Sequence, residues 1–398
     1  MSNKVSKRVE NLSESQTLAM AAKSRELKAQ GIDIISLSLG EPDFDTPDFI
    51  KDAAKQAIDD NFTHYPPVTG YLDVREAISE KFKRDNSLDY SPDHIIVSTG
   101  AKQSLMNVVL SLVNPGEEIL LPAPYWVSYH AMAEVAEAKP VIIPTTIDSD
   151  FKITPEQLKT NLTENTKMMI FSSPCNPSGS VYTLEELEAL ADVVKDREDF
   201  YIISDEIYEH INFTGQHASI GTIKSVKDKV ITVNGVAKGF AMTGWRIGYI
   251  GAPQWIVKAA AKIQGQFTSG ANTIAQKAAK AAVLANPSVT KQMKETFLKR
   301  RELILSELGK IEGFKLNVPQ GAFYVFPDIS YFFGKSTENF QINNASDFCL
   351  YLLNEAKVAM VTGEAFGNPN CVRLSYATSD EVLLEAVNRI KVALNKIQ

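Results

Sequence analysis

Seven short runs rich in apolar residues recur along the middle of the chain: "HIIVST" (94–99), "EEILLP" (117–122), "KPVIIP" (139–144), "KMMIFS" (167–172), "FYIISD" (200–205), "KVITVN" (229–234) and "RIGYIG" (246–251). Longer segments with helical spacing separate them. A strand covered on both faces has no polar side to show, so this alternation predicts an α/β fold: a mostly parallel seven-stranded sheet with helices on both faces. One intervening stretch, 183–196, carries leucines at helical spacing and opens with Thr183 and Glu186, a capping box. The alternation runs from about residue 48 to 290, which defines a large domain over 48–290. Residues 289–310 read as one long helix leading into a smaller α+β unit over 291–398, with strands near 322–326, 358–361 and 371–375 and a last helix opening at "TSDE". Residues 1–47 hold one helical segment and the turn "GEPDFDTP"; they are expected to form an arm that docks on the C-terminal unit as part of the small domain.

A chain of 398 residues buries a sizeable core, and its 41 basic and 48 acidic residues leave a net charge of −7. No basic face for nucleic acid or an anionic membrane is expected. The three cysteines, Cys175, Cys349 and Cys371, are far apart and form no CxxC, so neither a disulfide framework nor a metal site is expected. The first twenty residues lack the apolar centre of a signal peptide, and no run approaches the roughly 18 apolar residues that span a bilayer. These features predict a cytoplasmic enzyme.

The chemistry-bearing residues fall at the ends of the apolar runs. "VAKGFAMTGWRIGY" (236–249) sets Lys238 and Arg246 among small and apolar neighbours. A desolvated lysine loses its proton more readily and becomes available for imine chemistry, although a lone lysine at a strand end snorkels just as well. "YIISDEIY" delivers Asp205 and Tyr208 to the carboxyl edge of the sheet, where open α/β sheets bind ligands. "STGAKQSL" breaks a strand at Gly100 and starts a helix at Ala101 and Lys102, an arrangement suited to a phosphate. It is no dinucleotide fingerprint, because no two glycines in the chain are separated by a single residue, and no Walker-A loop exists. "SSPCNPSG" puts Asn176 in a turn after a strand, and "APYWVSY" offers Trp126 as a flat apolar surface. Arg373, in "CVRLSYAT", lies inside a strand pattern and calls for a carboxylate or an equivalent partner.

In this order the motifs resemble the class I, fold-type I pyridoxal phosphate-dependent aminotransferases over nearly the whole chain. "AKGFAMTGWRIGY", "SDEIYE" and "NPSG" are the specific ones, while "GEPDFDTP", "PYWVSY" and "VRLSYAT" are similar to bacterial aspartate aminotransferases that also accept prephenate. The resemblance implies that Lys238 carries pyridoxal 5'-phosphate as an imine and shuttles the substrate's Cα proton. Asp205 keeps the pyridine nitrogen protonated, Tyr208 and Asn176 bond the phenolic oxygen, and Trp126 stacks on the ring. Gly100, Ala101, Lys102 and Arg246 hold the phosphate, joined by Tyr65 from the partner of a homodimer with shared active sites. Arg373 grips the substrate α-carboxylate beneath the backbone of Gly40.

No arginine lies between Arg246 and Arg300 to read a distal carboxylate, so the resemblance passes that task to Lys102 with Ser15 and Thr17. Gly235 stands where many relatives place a phosphate-binding serine, and Cys175 stands where an asparagine is common. The implied activity is transfer of the amino group of L-aspartate to 2-oxoglutarate. Prephenate, aromatic amino acids or alanine as substrates, and lyase chemistry on the same scaffold, are the alternatives.

Overall fold

Side chains alternate between the two faces of a strand, so a fully covered sheet needs two separate helical layers. In the computed structural model, which describes residues 5–12 and 14–398, the seven apolar runs form one sheet. Its order is Ile95–Thr99, Ile247–Gly251, Val230–Gly235, Tyr201–Asp205, Thr166–Ser172, Glu118–Pro122, Lys139–Ile143. Ile203, Ile231 and Val233 face one layer and pack with Leu105, Val108 and Val109 of the helix Ala101–Leu112 and with Ile256 and Ala260 of Gln254–Phe267. Their chain neighbours Ile202 and Val230 face the other layer, against Leu187, Leu190 and Val194 of Leu184–Val194. That helix begins as its sequence predicts: Thr183 Oγ1 accepts from the Glu186 amide at 3.2 Å, and the Glu186 carboxylate accepts from the Thr183 amide at 2.8 Å.

One strand runs against the rest. Ile247–Gly251 is antiparallel to both neighbours, Ile95–Thr99 and Val230–Gly235, while the other pairs are parallel. The reversal fixes the site. Val230–Gly235 ends at the carboxyl edge, the chain turns there through Lys238, and Ile247–Gly251 starts back from that same edge, so Arg246 lies beside the end of Ile95–Thr99 through the pair Thr99 and Ile247.

The long helix spans Lys291–Leu308, shorter than the segment expected at both ends: Pro287 and the cap Asn286 make the preceding residues a separate 3-10 turn, Pro287–Thr290, and Gly309 is the C-cap. Beyond it, Val361–Thr362, Val372–Ser375 and Tyr324–Val325 form an antiparallel three-stranded sheet. The segment expected as one strand at 358–361 is divided: Val358–Ala359 pairs instead with Ile35–Ser36 of the N-terminal arm, in parallel. Leu37 is stitched on both sides, its amide donating to Ala359 O and its carbonyl accepting from the Ser375 amide, each at 2.8 Å. Ile35 and Leu37 share a buried cluster with Phe297, Phe323, Leu352 and Tyr376. Among the described residues no helix is long and apolar enough to cross a membrane.

Behind the sheet edge, Lys81 of Leu72–Asn86 donates to Glu209, and Asn86 donates to the same carboxylate. Both charges are buried, at 1% and 8% exposure. Burial works to raise the Glu209 pKa, but Lys81 and the nearby histidines hold it down to about 2. Removing one partner strands the other charge in the core. Lys81→Met is therefore expected to cost about 3 kcal/mol in urea unfolding; a loss well under about 1 kcal/mol, the scale of exposed pairs, would show that water reaches the site.

Candidate active site

The carboxyl edge of the sheet, the arm and the C-terminal strands enclose a cavity of about 470 Å³. Lys238, Asp205, Tyr208, Asn176, Trp126 and Arg246 line it, together with Ala101, Lys102, Arg373, Gly40, Ser15 and Thr17. Two expected residues do not line it. Gly100 lies directly behind, as the N-cap of Ala101–Leu112, and Tyr65 is 96% exposed elsewhere on the surface.

Asp205, the last residue of its strand, is 4% exposed. Its Oδ2 accepts from the Tyr129 hydroxyl at 2.8 Å and its Oδ1 from the Ile207 amide at 3.2 Å. Burial raises its pKa to about 6, against the lowering effect of those two bonds. The Asn176 side chain is also buried and accepts from Arg373 Nη1 at 2.9 Å. Arg373 Nη2 donates to Ser38 O at 2.7 Å, and Nε has no partner among the described residues. The guanidinium carbon lies 4.6 Å from the Tyr324 ring centre and 4.9 Å from that of Phe366.

Partly buried Lys238 donates to Gly40 O, a carbonyl of the arm. Burial, seconded by the charge of Arg373, lowers the lysine pKa to about 8; Glu41 and Asp205 act in the opposite direction. Tyr208 OH sits 2.7 Å from Tyr324 OH. Lys102 reaches over the Trp126 ring, its Nζ 4.9 Å from the centre. Thr17 Oγ1 is buried with no partner among the described residues.

The helix start at Ala101 is bare. Its N-cap Gly100 has φ +82 and supplies no side-chain cap, and a Cβ there would strike the Arg246 guanidinium, whose Nη1 donates to Thr243 O at 2.8 Å. Uncapped amides, the positive end of a helix and an arginine make a site for a phosphate-sized anion. With a buried carboxylate on the cavity wall that calls for a cation, and a lysine of lowered pKa, the donor set fits a phosphorylated pyridine aldehyde.

Three features escaped the sequence. Tyr129 lies three residues beyond Trp126, and that spacing was the available signal; Tyr324 reads as one more core aromatic in "GAFYVF". The third is a buried network in which Glu206 accepts from Ser204 and Ser219 and meets His217 Nε2 at 2.8 Å. Glu206, Glu209 and His217 bring ligand atoms within 4.8 Å of one another. Lys81 supplies a cation to this group. Burial opposes a charge on His217, yet Glu206 raises its pKa above the ordinary value.

This architecture and cavity define a transaminase scaffold, and the chain matches the family "Aminotransferase class I and II" over residues 32–390. It belongs to that family of pyridoxal phosphate-dependent transaminases. It is 46% identical over 396 residues to an aspartate/prephenate aminotransferase of Nitrosomonas europaea, covering 98% of this chain and 100% of the other. Among solved structures, an aspartate aminotransferase from Rhizobium meliloti superposes with a TM-score of 0.96 at 39% identity, covering 99% of this chain and 100% of that one. The Thermus thermophilus aspartate aminotransferase with maleate gives 0.92 at 40% identity, covering 98% and 100%.

The lysine carries the first test. In the cofactor-free protein, labelling of Lys238 by an amine-selective reagent, followed by peptide mass mapping, is expected to reach half its maximal rate near pH 8, because the neutral amine forms as pH rises through about 8. Arg373→Gln removes a neighbouring cation and moves the midpoint upward. A midpoint at the ordinary lysine value would show that Lys238 is solvated.

Proposed function

We propose that this chain transfers the amino group of L-aspartate to 2-oxoglutarate through pyridoxal phosphate. The observation that carries the reading is the convergence of Lys238, Asp205 and Arg373 on one cavity, each charge without a counter-ion bond among the described residues. The relatives support the substrate: the Nitrosomonas, Rhizobium and Thermus proteins all carry aspartate in their names, and the Thermus structure holds maleate, a four-carbon dicarboxylate.

When bound, pyridoxal phosphate supplies a carbon that links to the substrate nitrogen and a conjugated ring that takes up the electron pair released when the Cα–H bond breaks. The protein does the rest. Arg246 and the amides of Ala101 and Lys102 hold the phosphate. Asp205 keeps a proton on the ring nitrogen, with Tyr129 steering the carboxylate. Tyr208 and Asn176 bond the phenolic oxygen, and Trp126 covers the ring. Arg373 takes the α-carboxylate, completing the fork that its Nε leaves open, while Gly40 closes over it and excludes water. With the cofactor bound, Lys238 would be the group that takes the Cα proton and holds it at Nζ; its lowered pKa suits a base working near neutrality.

Lys102, with the hydroxyls of Ser15 and Thr17, reads the distal carboxylate. A single ammonium is a less exacting reader than an arginine fork, and the apolar Leu18 and Leu39 also line the cavity. Those two side chains favour prephenate as a second substrate. We also propose a homodimer in which the exposed Tyr65 reaches the partner's phosphate site, and a division into two bodies, 48–290 against 1–47 with 291–398.

The decisive measurement is the visible spectrum of the protein loaded with pyridoxal phosphate, before and after L-aspartate without any keto acid. The aldehyde-form band is expected to be replaced by that of the amine form. A loaded protein indifferent to aspartate but responsive to an aromatic donor would overturn the substrate assignment. For the distal reader, Lys102→Ala is expected to lower kcat/KM for aspartate by about tenfold or more, on the scale of a charged hydrogen bond, and to spare phenylalanine. Equal losses on both substrates would remove Lys102 from that role.

A further inference from the structure

Tyr324 is fully buried, stands outside every role assigned above, and touches three of the groups that carry them. It begins the strand Tyr324–Val325, and its side chain reaches the cavity wall. Its hydroxyl is 2.7 Å from that of Tyr208, with the two rings edge to face at 5.9 Å and 80°. The face of its ring carries the Arg373 guanidinium at 4.6 Å. The backbone of Gly40 rests on the hydroxyl so closely that a Cβ at Gly40 would collide with it. Gly40 O, in turn, is the acceptor for Lys238.

A phenol has one proton to give and lone pairs to receive. Tyr208 needs its proton for the oxygen of the cofactor, so in the contact between the two hydroxyls it must accept and Tyr324 must donate. The donated bond aims the Tyr208 O–H into the cavity and polarises it, since each hydrogen bond in a chain strengthens the next. We propose that Tyr324 is a positioning residue for the transamination: its hydroxyl orients Tyr208 and seats Gly40, and its ring holds Arg373 in place for the α-carboxylate. This rests on the roles given above to Tyr208 and Arg373.

Three variants, Tyr324→Phe, Tyr208→Phe and the double variant, test it, with the visible band of the bound cofactor titrated against pH. A hydrogen bond to the phenolic oxygen favours its ionised form, so losing the bond raises the proton affinity that the band reports. Tyr208→Phe is expected to raise that affinity strongly. Tyr324→Phe is expected to raise it about fivefold, the worth of one hydrogen bond, and to raise KM for amino acids less than loss of the whole ring does, because the ring beneath Arg373 remains. In the Tyr208→Phe background the same change is expected to shift nothing, a coupling that a purely structural tyrosine would not show.

Tyr324→Leu removes the ring as well and is expected to raise KM for aspartate and phenylalanine alike, through Arg373. Should that variant fail to fold, the two phenylalanine variants still decide. No shift in Tyr324→Phe beside a clear one in Tyr208→Phe overturns the proposal, as does a shift that persists without the Tyr208 hydroxyl. No shift in Tyr208→Phe itself would instead overturn the role given to Tyr208.

Discussion

The charges around the cavity are held in place by neutral groups. Asp205 takes its side-chain hydrogen bond from a phenol, Lys238 donates a hydrogen bond to a carbonyl, Arg373 donates to an amide oxygen and a carbonyl, and Arg246 donates to a carbonyl. Such partners orient a charge without cancelling it. Had Lys238 paired with Asp205, or Arg373 with a carboxylate, the attraction would have been used inside the protein. The contrast lies close behind: Lys81 and Glu209 are paired within the core and serve to pin a helix to the sheet. The cost of keeping charges without counter-ions out of water falls on the rest of the fold, and the shifted pKa values of Asp205 and Lys238 are its trace.

Topology makes this collection possible. Parallel strands all end at one edge, which explains Asp205, the last residue of such a strand, and Asn176 and Lys238, each following one. Arg246 precedes its strand and would sit at the far edge if that strand ran with the others. The single reversed strand, Ile247–Gly251, brings it back. The sequence shows seven strands in their right places because strands covered on both faces advertise themselves as apolar runs. The reversal is not legible there, because a run such as "IGYIG" is equally apolar in either direction and direction is set by which neighbour it pairs with.

What remained illegible had similar causes. Ile35–Ser36 and Val358–Ala359 are only two residues each, too short for any periodicity, and their pairing spans more than three hundred residues of chain. The charged residues of the cavity stood out because lysine, aspartate and arginine are conspicuous among apolar neighbours. Tyr129 and Tyr324 did not, since a tyrosine in an apolar stretch looks like core and the hydroxyl that matters is invisible without its partner. In the network of Glu206, Glu209, His217 and Lys81 the first three lie within twelve residues, but Lys81 comes from a segment far away in the chain, and each member alone reads as a surface charge.

The arm shows how a segment remote in sequence becomes part of the site. Leu37 is hydrogen-bonded between two C-terminal strands, and Ser38 gives its carbonyl to Arg373. Five residues further on, Asp43 forms a two-pronged pair with Arg300 of Lys291–Leu308, at 2.7 and 2.9 Å. Gly40 is therefore tethered on both sides to elements C-terminal to the large sheet, and its carbonyl meets Lys238 from the sheet's own edge. With no Cβ, Gly40 can lie against Tyr324, where any side chain would push the arm away from the lysine. The arm therefore meets the sheet edge at several points, with Gly40 O accepting from Lys238, Glu41 accepting from Thr243 and Thr46 Oγ1 donating to Ala241 O at 2.7 Å, and Tyr324 bears on the first of them.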